Sequence, residues 1–157
     1  MLPIIFAILL LGGAVLAAQS SINGKLGAQT GVVESAWLTF AMGAVITFLL
    51  MFFFESPSEA TLFSVPKWQL IGALFGVVYM LAIVFAVPRV GTAAATVAVI
   101  SGQLLMSLLI DHFGWLGNSR LPLDPSRYLS MALLMGALAL IYLSHRKRAL
   151  RLAAAAQ

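Results

Sequence analysis

The run from Gly91 to Ile110, GTAAATVAVISGQLLMSLLI, holds twenty residues without a charge. As one α-helix it is about 30 Å long, the depth of a bilayer's hydrocarbon core. Small residues fill its first half (Ala93, Ala94, Ala95, Ala98, Ser101, Gly102), and its one strongly polar side chain, Gln103, lies just past the middle. Small residues let a second backbone come close, and an amide in hydrocarbon needs a partner. This is where a helix bundle is expected to close around something polar.

Four further apolar runs cover about 2–23, 31–54, 68–87 and 128–143, with a basic tail over 144–157. The expected fold is an all-α integral membrane protein: one membrane domain, 1–157, crossing the bilayer five times. Composition agrees, with 62% hydrophobic and 9% charged residues and a mean hydropathy of +1.04, where soluble domains carry roughly a quarter charged residues. The net charge of +4 is spread over loops and ends, a pattern that orients spans and gives no reason to expect a nucleic-acid partner. The absence of cysteine excludes disulfides, thiolate metal sites and cysteine nucleophiles.

No Lys or Arg precedes the first apolar run, so it lacks the basic start of a secretory signal. A helix reaching about Asn23 puts Gln19 and Asn23 one turn apart on one face. The second run carries Glu34 in its first turn and Trp37 a turn later, and a polar loop with Pro57 and Pro66 follows. Trp68 opens the third run, where Gly72 and Gly76 have the GxxxG spacing of close-packed membrane helices. Only Pro88, Arg89 and Val90 join it to the central run, which predicts an antiparallel hairpin between neighbours. After Asp111 and His112 comes a loop with Asn118, Arg120, Pro122, Asp124, Pro125 and Arg127.

An odd number of spans puts the termini on opposite faces. One face collects Lys25, Arg89, Arg146, Lys147, Arg148 and Arg151; the other collects Lys67, Arg120 and Arg127. Basic residues favour the cytoplasm, so the C-terminus is expected inside and the N-terminus outside.

Glu34 is the candidate proton or cation site: burial raises an acid's pKa, and a bound cation lowers it. The competing reading is a helix-start carboxylate in water, favoured by the helix dipole. Gln19, Asn23 and Gln103 are candidate solute-binding residues, since amides offer both donors and acceptors; alternatively they bridge helices. Trp37 and Tyr79 are candidate cavity walls, the competing reading being aromatics that face lipid or core, while Trp68, Trp115, Tyr128 and Tyr142 fit an interfacial aromatic belt. Asp111 and His112 suit a helix end better than a proton relay. There is no GxxxxGK[ST], HExxH or GxSxG pattern, so neither catalytic residues nor a cofactor or metal is expected, and transport would be driven by a gradient.

The run Gln19-x-x-x-Asn23-Gly24-x-Leu26-Gly27, then Glu34 ahead of Phe40-x-x-Gly43, resembles the five-helix YdcZ-like branch of the drug/metabolite transporter (DMT) superfamily. So do Trp68-Gln69-x-x-Gly72-x-x-x-Gly76, Val87-Pro88-Arg89-Val90-Gly91, Ser101-Gly102-Gln103, Asp111-His112-Phe113-Gly114 and Leu134-Met135-Gly136. The resemblance covers about Pro3 to Leu143. It implies a secondary transporter of a small organic solute or drug-like cation in the bacterial inner membrane, built as half of a ten-helix unit. Small relatives in that superfamily carry a membrane-embedded Glu in their first helix. Here that helix has Gln19, and the nearest acid is Glu34.

Alternating access is commonly built from two inverted repeats around a midplane site. One five-span chain supplies only one orientation, so an antiparallel partner chain is expected. The six-to-three charge bias tilts this towards a heterodimer with an inverted homologue, with a homodimer next. The rival reading is a non-transporting accessory or assembly subunit.

Overall fold

Lipid offers no hydrogen bonds, so backbone that crosses it must pair its N–H and C=O groups within the segment, as a helix does. The apolar runs accordingly become α1 (Leu2–Thr30), α2 (Val32–Phe54), α3 (Gly72–Val90), α4 (Thr92–Phe113) and α5 (Pro125–Ala155). A computed structural model describes residues 2–55, 64–121 and 124–155. Among these there is no strand. Five helices, with α3 taken together with the 3-10 turn Lys67–Ile71 before it, are long and apolar enough to span a membrane. The expected all-α, five-span class is the observed one. Residues 56–63 of the loop after the second span, and Pro122 of the later loop, lie outside the described residues.

The boundaries differ from expectation where packing or capping decides them. Helix α1 does not stop near Asn23 but runs to Thr30, because Gly24 and Gly27 are packed against other helices and held helical there. Helix α3 continues through Pro88 to Val90. Helix α5 begins at Pro125 and absorbs the basic tail as far as Ala155: after Gly136 that stretch has no Gly or Pro and is rich in Ala, Leu and Arg, all good helix formers.

The chain forms two compact units, Met1–Arg89 and Val90–Gln157. In the first, α1 and α2 are joined by a single residue. Gly31 sits at φ 106 and ψ 153, a conformation open essentially to glycine alone. Its N–H donates to the Gly27 carbonyl and its own carbonyl accepts from the Ser35 N–H, both at 3.1 Å, so the reversal leaves few orphaned groups. Gly91, between α3 and α4, repeats this backbone at φ 82 and ψ 157.

The core of this unit is Ala36, Met80, Ile83, Val84 and Val87, with Ser20, Asn23 and Ser35 buried among them. A Cβ on Gly24 would meet Val87 Cγ1 at 2.6 Å, and one on Gly27 would overlap Val84 Cγ1 and come within 3.5 Å of Ser35 Cβ. The two glycines are thus the slots into which the valines of α3 fit. The expected Gly72/Gly76 pair plays no such part within the described residues: nothing lies within 4 Å of a Cβ on Gly72, and Gly76 meets only the Phe40 ring, at 3.7 Å.

In the second unit, Gly114 ends α4 in the left-handed conformation and donates its N–H to the Ile110 carbonyl. Asp111 Oδ2 meets Arg127 Nη1 at 3.4 Å, and the Asp111 carbonyl accepts from the Leu121 N–H at 2.9 Å. Asp111 therefore ties the end of α4 to the loop and to α5. The half-exposed ion pair itself contributes about 0–1 kcal/mol. His112 packs edge-on against Phe113, whose ring stacks on Trp115 at 5.2 Å.

Asp124 caps α5: its Oδ1 accepts from the Arg127 N–H at 2.9 Å and from the Ser126 hydroxyl, with Pro125 at the first helical position, where its missing N–H costs nothing. The Ser126 hydroxyl, and then the Arg127 N–H, hold the carboxyl below its ordinary range. A group depressed by folding adds stability above its unfolded pKa and loses it as pH falls through the lower, folded value. Amide-exchange protection at Arg127 and Tyr128 is therefore expected to decline as pH drops below the ordinary carboxylate range. In Asp124→Asn, which caps without titrating, that decline should vanish.

Candidate functional site

Gln19 and Asn23 come together as their spacing predicts. They line a groove of about 360 Å³ between α1 and α2, within the volume range of small-molecule pockets. Across it stand Thr39, Met42 and Gly43 of α2. Gln19 and Gly43 both lie near the middle of their helices, the depth at which transporter sites are commonly built.

Asn23 is 6% exposed. Its Nδ2 donates to Met80 Sδ of α3 at 3.4 Å, while its backbone carbonyl accepts from Ser35 Oγ of α2 at 3.1 Å. One residue thus links all three helices of the unit. A thioether only accepts, and weakly, so the NH2 must face Met80. The carboxamide oxygen then faces away, and it accepts no hydrogen bond among the described residues. No fully enclosed side-chain N or O among them lacks a partner, so this oxygen is not fully enclosed, and Asn23 is among the residues that line the groove.

Thr39 spends its hydroxyl proton on the Ser35 carbonyl at 2.9 Å, which leaves its oxygen free as an acceptor. Gln19 is exposed to the groove with both ends of its amide free among the described residues. No titratable side chain lines this space. The arrangement can therefore orient a solute by hydrogen bonds against apolar walls, and it holds no group able to exchange a proton.

The other candidates lie elsewhere. Glu34 is exposed in the first turn of α2, its carboxylate folded back against Gly31, where the dipole favours negative charge. Trp37 is 67% exposed and is not part of the groove lining. Gln103 is exposed on α4, in the second unit. Tyr79 is half-buried on α3, beside Met80. Thr39, Met42 and Met80 were not singled out in the sequence. Ser35, Thr39 and Gly43, four apart on one helical face, are the signal that points to the groove-facing side of α2.

A second hollow of about 380 Å³ lies where the C-terminal ends of α1 and α3 meet the start of α2, lined by Gly27, Val84, Pro88 and Arg89 among others. Pro88 deprives the Val84 carbonyl of its helical donor. Arg89 turns back to the Phe85 carbonyl, its guanidinium 3.6 Å from the Phe85 ring centroid.

Residues 4–140 match the sequence pattern of a family described as "Putative inner membrane exporter, YdcZ". No curated protein and no solved structure matches the chain.

Proposed function

Because the chain belongs to the YdcZ family of DMT-superfamily inner-membrane exporters, we propose that it is a secondary-transporter subunit carrying a small organic solute through the bilayer as an antiparallel dimer. A multi-pass inner-membrane transporter, not an enzyme, is the family's own character. The observation that supports the finer reading is the groove at mid-helix depth, with a nearly buried amide, Asn23, beside a free one, Gln19.

Two such chains in opposite orientations would supply the inverted halves on which alternating access is commonly built. An inverted homologue is the favoured mate, and a second copy of this chain the next, because six basic residues against three oppose insertion both ways. The N-terminus is assigned to the outside and the C-terminus to the cytoplasm on the same ground. Gln103, on α4 of the second unit, is a further amide proposed to contact solute. Trp37 forms part of the wall of the solute path once the partner is in place. Glu34, the one acid within α1, α2 and α3, couples transport to protons or another cation.

Solute flux in reconstituted vesicles tests this. Glu34→Gln should abolish the response to an imposed pH gradient. Gln103→Ala should slow flux by about tenfold, the loss expected if one well-placed hydrogen bond of about 1.5 kcal/mol is removed. Flux absent under every gradient and solute would leave an accessory subunit instead.

A further inference from the structure

Resting on the transport reading above, we infer that the α1–α2 groove selects uncharged solutes that carry at least two N–H or O–H donors and one acceptor, and rejects organic cations. The Asn23 carboxamide oxygen accepts no hydrogen bond among the described residues and so offers an acceptor, while one N–H of the same amide donates to Met80. The Thr39 oxygen is an acceptor, because its proton is committed to the Ser35 carbonyl. Gln19 adds one acceptor and one NH2, both free among the described residues. A solute that fills these positions must donate to Asn23 and Thr39, and it can both donate to and accept from Gln19.

A cation could supply the donors, but nothing in the groove compensates its charge. None of the lining residues is ionisable, and Glu34 is folded against Gly31 at the start of α2. Taking an ion out of water without a counter-charge costs several kcal/mol even after relaxation, whereas a neutral amide recovers its hydration through matched hydrogen bonds. Leu38 and Ile46 supply apolar walls, and the bare Cα of Gly43 leaves the space opposite Gln19 open. A flat ring bearing a primary amide suits this geometry: apolar faces, two N–H donors and one carbonyl.

The test uses the full chain, with its partner where one is required, in lipid nanodiscs for binding and in vesicles for flux. The probes are isosteric pairs, benzamide against benzamidinium first. The neutral member is expected to bind at least about tenfold more tightly. Gln19→Glu, at an exposed position, should reverse that preference by placing a carboxylate in the groove. Gly43→Leu should remove binding of both probes while leaving the melting temperature unchanged, since nothing lies within 4 Å of a Cβ at Gly43. The inference is overturned if benzamidinium binds as tightly as benzamide, if no neutral probe binds, or if neither substitution alters selectivity. The two readings separate cleanly. Neutral probes that bind without crossing the membrane leave the groove assignment standing and remove transport. Flux confined to cations keeps transport and removes the groove assignment.

Discussion

Gly27→Val is expected to lower the melting temperature of the detergent- or nanodisc-embedded protein well below that of the native chain. Even a methyl group at this position overlaps Val84 Cγ1 and comes into contact with Ser35 Cβ. Neither neighbour can yield easily, for Val84 is 1% exposed and Ser35 is 0% exposed, and a β-branched side chain is stiff at χ1. Overpacking of this kind costs about 1–3 kcal/mol, and the extra methyls of valine raise it further. For Gly27→Ala the helix preference of alanine returns up to about 1 kcal/mol, so a net loss remains but is smaller. Gly24→Ala should behave alike, with Val87 in the role of Val84. Gly12→Ala is the control: a Cβ there meets nothing within 4 Å, and stability should hold or rise slightly. Equal melting temperatures for Gly27→Val and Gly12→Ala would mean that α1 and α3 do not pack in this register.

The second large effect concerns orientation. Neutralising Arg146, Lys147, Arg148 and Arg151 together leaves Lys25 and Arg89 on the face assigned to the cytoplasm, against Lys67, Arg120 and Arg127 opposite. The majority changes sides. Since Lys and Arg in short loops and near span ends set topology, while acids count for little, the variant should insert in both orientations or invert. A C-terminal reporter active only in the periplasm should be silent on the native chain and become active on the variant. A reporter already active on the native chain would reverse the assignment of inside and outside. One unmoved by the four substitutions would show that the internal loops alone fix the orientation.

The number of spans was legible because hydrocarbon admits only long uncharged runs, and the five in this chain are separated by charges, prolines or glycine. The pairing of Gln19 with Asn23 was legible for a similarly local reason, since four residues make about one helical turn. Which glycines meet a neighbour was not. Spacing marks the residues that share a face, but it does not say which face another helix covers. Gly72 and Gly76 have the familiar spacing, yet it is Gly24 and Gly27 that receive the valines of α3. The same limit hid Met80, whose role depends on Asn23 lying beside it, far away in sequence. The start of α5, by contrast, could have been read directly, as Asp124-Pro125 is a cap followed by a residue suited to the first helical position. Glu34, Trp37 and Gln103 are exposed on their own units, and no local pattern encodes what covers an exposed residue.

The one-residue junction at Gly31 restricts how this protein can change shape. With no slack between them, α1 and α2 cannot slide past one another like pistons, because any axial shift of one would drag the other. What remains is a scissor motion with its pivot at the glycine. The groove sits partway along the blades, so a small angular change at the pivot opens it more on the side of Leu2 and Phe54 than on the side of Gly31.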